Sequence, residues 1–127
     1  MKNSLLLLIM FVGISVFALG NEIEEPVESD STQTPKITFI ELGSVNCVPC
    51  KLMQPVMEEI EKGYADTVKV VFHDVWTKEG KKYGKQYNVK LIPTQVFLDE
   101  TGTEFFRHQG FFSQEEIEKL IDEKLKK

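Results

Sequence analysis

Hydrophobic and polar residues along this chain form alternating strand-like and helix-like segments. Short runs rich in β-branched and aromatic residues predict strands, at residues 36–42, 67–75, 94–98 and 103–109. The first run is mostly apolar, and its apolar residues fall on both faces. That pattern is typical of a central strand covered on both faces.

The longest helix-like segment begins at Pro49 and stops near Gly63. Its apolar residues recur three and four positions apart, as on one helix face; they are Met53, Val56, Met57 and Ile60. Pro49 suits a first helical turn, where its missing N–H costs nothing. Pro55 lies in the interior and predicts a kink.

Two shorter helices are predicted nearer the carboxyl end. Thr77 is a candidate cap for a helix over residues 78–86. Ser113 with Glu116 three positions later forms a capping box, and it opens a final helix with apolar residues on one face. Residues 99–102 are a turn signal, so the strands on either side are expected to pair as a hairpin.

The predicted order is therefore β-α-β-α-β-β-α. The early strand–helix–strand alternation implies a parallel pair with a right-handed crossover, and the late hairpin adds antiparallel strands. We expect an α/β fold with a mixed central sheet and helices on both faces.

The amino terminus differs from the rest of the chain. Residues 1–20 combine an early lysine, an apolar stretch and small residues at the end, which predicts a secretory signal peptide. An uncleaved membrane anchor over residues 5–19 is the alternative. Residues 21–35 are acidic and rich in proline and polar residues, which favours a flexible linker. Residues 36–127 then form the folded domain, outside the cytoplasm.

The formal net charge of the 127-residue chain is −5. A basic footprint for nucleic acid is therefore missing from the sequence, and we expect no nucleic-acid partner. The acidic surplus otherwise predicts a soluble surface.

The two cysteines, Cys47 and Cys50, stand between the first strand and the long helix. A strand that delivers C-x-x-C to a helix start is a redox arrangement. A structural disulfide is the alternative outside the cytoplasm, but so small a loop stabilises least. A zinc site needs three or four ligands, and His73 and His108 are not spaced as a ligand pair. We therefore predict no metal.

Glu41 is a carboxylate inside the otherwise apolar first strand. Its burial is costly unless the group is neutral or paired, and desolvation raises a carboxyl pKa. Two interpretations remain open from the sequence: a buried functional acid, or an edge residue whose side chain reaches water.

From about residue 36 to 127 the chain resembles the thioredoxin superfamily. The matching features, in chain order, are the motif Cys47-Val48-Pro49-Cys50, the helix proline Pro55, the segment Ile92-Pro93-Thr94, the turn residue Gly102 and the later Gly110. Ile92-Pro93-Thr94 is similar to the cis-proline loop of that superfamily. The cysteine motif together with this segment carries the resemblance.

The resemblance implies a thioredoxin fold and a role for each site residue. Cys47 would be the nucleophile, and Cys50 would resolve the mixed disulfide and pair with Cys47. Glu41 would lie beneath them as proton acceptor for Cys50. Pro93 would be cis and have a structural role against the sulfurs.

A shallow apolar groove around Cys47 would receive the substrate segment. Its expected residues are Val48, Pro49, Ile92, Thr94, Gly110 and Phe111. For Phe111 and its neighbour Phe112, a core position is an equally open interpretation.

Some positions depart from the usual thioredoxin pattern. Asn46 and Val48 replace Trp and Gly, and Glu41 replaces Asp. Together with the signal segment, these differences are closer to exported thioredoxin-like reductases that work beside transmembrane thiol transporters. The resemblance thus implies a protein-disulfide reductase with no cofactor beyond its dithiol. Its substrates would be oxidised protein cysteines, and a membrane thiol transporter would donate electrons. The oligomeric state stays open, and nothing in the sequence suggests more than a monomer.

Two other functions stay open. One is a disulfide oxidase or isomerase, because Val48 and Pro49 between the cysteines do not settle the direction of electron flow. The other is a redox-inactive binding module with a structural disulfide.

The segment after the second strand carries one aromatic residue and several lysines. Trp76 is expected to pack into the domain. Lysines 78, 81, 82 and 85 are interpreted as a solvated helix face, with a docking patch as the alternative.

Overall fold

The computed structural model describes residues 34–127. The predicted signal segment and all but the end of the predicted linker lie outside these residues. Within the described part, the elements follow the predicted order: β1 (Ile37–Gly43), α1 (Val48–Gly63), β2 (Val68–Asp74), α2 (Lys81–Gln86), β3 (Thr94–Asp99), β4 (Glu104–Gln109) and α3 (Gln114–Leu125).

The described strands form one mixed sheet in the order β2-β1-β3-β4. β1 runs parallel to β2, with Gly43 opposite Asp74, and antiparallel to β3, with Leu42 opposite Thr94. β3 and β4 form the predicted hairpin. The end of β1 therefore lies between the end of β2 and the start of β3, which confirms the predicted mixed α/β architecture.

β1 is buried on both faces because helices cover each side of the sheet. On one face, Ile37 and Phe39 belong to a large core with the apolar stripes of α1 and α3. On the other face, Ile40 and Leu42 belong to a smaller core, covered by partly buried side chains that include Tyr83 of α2. Odd-numbered residues of β1 thus face α1, and even-numbered residues face α2.

The helix ends follow local chemistry. α1 continues through Pro55 and carries the predicted buried residues. α3 begins at Ser113, whose side chain forms the predicted capping box with Glu116. α2 begins at Lys81, three residues later than predicted. Thr77 explains the difference, because its hydroxyl donates to the carbonyl of Asp74 and accepts from the N–H of Gly80, forming a turn before the helix.

Across residues 34–127, no helix combines the length and apolar character that a membrane crossing requires.

Candidate active site

The two cysteines lie at the amino end of α1, where the chain leaves the centre of the sheet. The N–H of Cys47 donates to the carbonyl of Ser44 at 3.1 Å, closing a turn between β1 and the helix. Cys47 is the N-cap residue of α1, and it forms a disulfide with Cys50 across a Cα–Cα distance of 5.2 Å. Cys47 is the more accessible partner, at 8% exposed against 2% for Cys50.

The helix start leaves its positive end directed at the sulfurs. No side chain caps the α1 amino terminus, and its first turn contains no acidic residue. Unpaired backbone N–H groups and the helix dipole stabilise an anion at such a position. A thiolate on Cys47 would therefore be favoured in the reduced protein, and the thiolate is the nucleophilic form of a cysteine.

Glu41 is fully buried on the β1 face that is directed at α1. Neither of its carboxyl oxygens has a hydrogen-bond partner within the described residues. Desolvation raises the pKa of Glu41 to about 8, and a weaker interaction with Gln95 acts in the opposite direction. The interpretation as an edge residue that reaches water is therefore wrong.

Gly43 separates the buried carboxyl from the disulfide. A Cβ built at Gly43 would lie 3.1 Å from Cys50 Sγ and 3.4 Å from Glu41 Oε1. Both atoms therefore border the small space that the missing side chain leaves.

The segment expected to face the disulfide contains a cis peptide bond between Ile92 and Pro93. The carbonyl of Pro93 accepts from the N–H of Gly110 at 2.8 Å, and the carbonyl of Gly110 accepts from Gln95 Nε2 at 3.1 Å. Gly110 has a φ of +91°, which glycine adopts without strain. These bonds hold the loop after β4 against the loop before β3.

Thr94 does not fit its expected place in the substrate groove. Its side chain is fully buried, and its hydroxyl donates to the carbonyl of Leu91. Thr94 also begins β3 and pairs with β1 on one side and β4 on the other. Its side chain therefore braces the proline loop and is not available to a substrate.

The other expected groove residues are more accessible. Val48 is 71% exposed and Phe111 is 47% exposed, and Pro49 is also exposed. Ile92 and Gly110 are half-buried. Phe112, by contrast, is buried in the large core, where its ring stacks on Phe106. The core interpretation is thus correct for Phe112 and wrong for Phe111.

Asp74 was missed by sequence reasoning, and it organises the loop before the cysteines. Its carboxylate accepts from the hydroxyl of Ser44 at 3.2 Å, the N–H of Val45 at 3.1 Å and the N–H of Trp76 at 3.0 Å. Desolvation works to raise the pKa of Asp74, but these hydrogen bonds outweigh it and lower the pKa. An aspartate at the end of a strand is a recognisable turn signal. Its contacts with residues 29 and 30 positions earlier in the chain cannot be recognised from the sequence.

The histidines stay apart from the site chemistry. His73 stacks on Tyr83 with ring centroids 3.5 Å apart, and desolvation, with a smaller effect of Lys82, lowers its pKa. His108 stacks on Phe112. Over residues 34–127, no three or more histidine, cysteine or acidic side chains cluster as metal ligands would.

A C-x-x-C disulfide at a helix start, with a buried carboxyl nearby, is an arrangement suited to a thiol–disulfide oxidoreductase. Comparison with known proteins agrees with this class. Residues 24–125 match the family described as a thioredoxin-like domain, and the chain belongs to that family.

Individual relatives support the same assignment. The chain is 33% identical to a thioredoxin of Bacillus subtilis over 79 residues, which cover 62% of this chain and 73% of that protein. It is 26% identical to a thioredoxin of Acidithiobacillus ferridurans over 102 residues, covering 80% and 92%. Among solved structures, the thioredoxin NaTrxh from Nicotiana alata matches with a TM-score of 0.60 and 28% identity, covering 75% of this chain and 77% of that one.

Proposed function

We propose that this chain is a protein-disulfide reductase that acts outside the cytoplasm and cycles between a dithiol and the Cys47–Cys50 disulfide. The observation that carries the proposal is the asymmetry of the two sulfurs. Both sulfur-bearing residues are buried, but Cys47, the N-cap of α1, keeps 8% of its surface exposed, whereas Cys50 keeps 2% and borders Gly43. This difference in exposure supports Cys47 as the sulfur that meets a substrate and Cys50 as the sulfur that completes the reaction.

The proposed reaction has two exchange steps. The Cys47 thiolate attacks one sulfur of the substrate disulfide, forming a mixed disulfide and releasing the second substrate sulfur as a thiolate. Cys50 loses its proton and attacks Cys47 Sγ, which releases the first substrate sulfur. The substrate gains two electrons and, from solvent and the site, two protons, while Cys47 and Cys50 become a disulfide.

Glu41 supports the proton transfers in this proposal. In the oxidised protein its pKa of about 8 keeps the carboxyl largely protonated at neutral pH. It therefore holds a proton for Cys50 when an electron donor reopens the disulfide. In the opposite step, an ionised Glu41 accepts the proton that Cys50 must lose before it attacks.

Export and the electron donor are the parts of the proposal that rest on the sequence alone. The apolar segment at residues 5–19 and the acidic segment that follows support passage across a membrane. A membrane thiol transporter would then supply electrons to Cys47 and Cys50. A fusion of residues 1–35 to a reporter that is active only outside the cytoplasm tests export directly. A reporter that stays inactive in the cytoplasm would contradict the proposed export.

The direction of electron flow is tested by the reduction potential of the full chain. A reductase is expected near the thioredoxin value of about −270 mV, whereas a strong oxidase would lie near about −120 mV. A reduction potential near about −120 mV would show that the protein oxidises thiols and does not reduce disulfides.

A trapping experiment tests the exchange mechanism itself. Cys50→Ala, expressed in the native host, should accumulate mixed disulfides on Cys47, and mass spectrometry of the adducts would name the substrates. A variant with both cysteines replaced by alanine is the matched control, since it lacks both sulfurs and cannot form adducts. Equal recovery from both variants would leave a redox-inactive binding module as the better description.

A further inference from the structure

A groove of about 730 Å³ lies beside the disulfide end of the sheet, between the segment after β2 and the segment before β3. We call it the lysine groove and define it by six lining residues: Trp76, Lys81, Lys85, Lys90, Leu91 and Ile92. Its volume falls within the range of about 300–1,000 Å³ that is typical of ligand-binding pockets.

The topology places this groove next to the disulfide. At one end, Trp76 is held by Asp74, which also binds the loop leading to Cys47. At the other end, Ile92 precedes the cis bond to Pro93. Thr94, which follows Pro93, pairs with Leu42 near the end of β1. Both ends of the lysine groove are thus connected to loops that surround the disulfide, so a polypeptide bound at Cys47 could reach the groove.

The walls of the groove offer an apolar anchor. Trp76 is 58% exposed and Leu91 is 54% exposed, so the expectation that Trp76 packs into the domain is wrong. Large apolar side chains at the rim of a concave surface are typical of binding sites, because covering them removes apolar area from water.

The charge of the groove is opposite to that of the whole protein. Residues 76–92 contain five lysines and one acidic residue, Glu79, in a chain with a net charge of −5. Lys81 and Lys85 lie one helical turn apart on α2, and Lys90 approaches from the following segment. The salt bridges within residues 34–127 join Glu59 to Lys62 and Glu104 to Arg107, so the groove lysines have no acidic partner there.

We propose that the lysine groove binds an acidic segment with an apolar anchor in the protein whose disulfide reacts at Cys47. The carboxylates would pair with Lys81, Lys85 and Lys90, and the anchor would lie between Trp76 and Leu91. This inference rests on the proposed reductase function and narrows its substrates to disulfide proteins with acidic flanking sequence.

Two matched peptides test the inference with the full chain. Both contain the same disulfide and the same apolar residue, but one carries three glutamates beside a cysteine and the other carries three glutamines. Exposed ion pairs are individually weak, so the reduced protein should reduce the acidic peptide about tenfold faster at low salt. The difference should shrink strongly in about 1 M salt, where charges are screened.

Charge reversal in the groove identifies the site. Lys81→Glu with Lys85→Glu should remove the preference for the acidic peptide while leaving reduction of the glutamine peptide within about twofold. Lys119→Glu with Lys126→Glu, at exposed positions in and just after α3, makes the same change in net charge and should retain the preference. Equal loss in both variants would show general electrostatic attraction and overturn the site.

A second measurement separates this inference from the proposed function. Trp76 is the single tryptophan of the chain, so its fluorescence reports on the groove without any redox reaction. Both peptides can also be made with serine in place of cysteine. The serine version of the glutamate peptide should change the Trp76 fluorescence, and the serine version of the glutamine peptide should not. If both disulfide peptides are reduced equally and neither serine peptide perturbs Trp76, the inference is wrong and the reductase stands. If neither is reduced but the acidic serine peptide binds, the reductase is wrong and the docking surface stands.

The acidic segment at residues 21–33 of the chain itself is the alternative ligand for the lysine groove. Replacing Glu22, Glu24, Glu25 and Glu28 with glutamine should leave the reduction rates unchanged. If these changes raise the rate with the acidic peptide several-fold, the groove binds its own amino-terminal segment, which would overturn the assignment to a substrate protein.

Discussion

Replacing Glu41 with glutamine removes a titratable group from the centre of the sheet with little change of shape. Desolvation raises the pKa of Glu41 from 4.5 to about 8 in the folded protein. In the unfolded chain the carboxyl ionises near its ordinary value, so between the two pKa values the folded state holds a proton that the unfolded state has lost. The free energy of unfolding must then fall as pH rises through this window.

The magnitude follows from the width of the window. Each pH unit costs about 1.4 kcal/mol, so the full interval from 4.5 to about 8 removes at most about 5 kcal/mol of stability. Above that range both states are ionised and the loss stops growing. Glu41→Gln is neutral at every pH, and its stability should not show this decline.

Chemical denaturation of the oxidised protein at pH 5 and pH 9 measures the effect. The two proteins should differ modestly at pH 5, and the glutamine variant should be more stable by several kcal/mol at pH 9. Glu58→Gln, at an exposed position of α1, is the matched control and should follow the original protein. Parallel pH profiles for the original protein and Glu41→Gln would refute the reasoning about the buried carboxyl.

Three other substitutions give separate tests. Gly43→Ala places a Cβ 3.1 Å from Cys50 Sγ and should cost about 1–3 kcal/mol in denaturant unfolding, whereas Gly63→Ala meets no atom within 4 Å and should cost less than 1 kcal/mol. Asp74→Ala removes three hydrogen bonds to a carboxylate and should lower the melting temperature and shift the emission of the neighbouring tryptophan. Ser113→Ala removes the capping box of α3 and should cost about 0.5–2 kcal/mol in the same unfolding assay.

Each of these tests has a contradicting outcome. Equal stability of the Gly43 and Gly63 variants would mean that the space beside Cys50 is not restricted. Unchanged tryptophan emission in Asp74→Ala would mean that the carboxylate does not hold the loop. An unaffected Ser113→Ala protein would mean that the cap adds nothing to a helix already fixed by its core contacts.

Most of the fold could be predicted because its elements are local and strongly patterned. The spacing of Met53, Val56, Met57 and Ile60 defines the α1 face, and Ser113 with Glu116 defines the start of α3. The start of α2 was misplaced because Thr77 has two compatible local roles. It can cap a helix or close a turn, and the hydrogen bond from its hydroxyl to Asp74 decides for the turn.

The site residues that belong to a local sequence motif could be predicted. Those that depend on contacts between distant parts of the chain could not. The two cysteines are recognisable from their spacing alone. The exposure of Trp76 and the role of Asp74 depend on how β2 ends beside β1, and no local pattern encodes that juxtaposition. Thr94 was assigned to the groove by its neighbourhood in the chain, but alternation along β3 and pairing on both sides bury its side chain.

The division of the interior into two unequal cores has a consequence for how the domain opens. The disulfide is attached to α1, which is fixed by the large core, whereas α2 has no buried residue of its own and covers the smaller core. Local opening costs less free energy where fewer apolar contacts must break. Amide hydrogens of α2 should therefore exchange with solvent sooner than those of α1, which would let the surface beside the disulfide adjust to different partners while the reactive sulfurs keep their geometry.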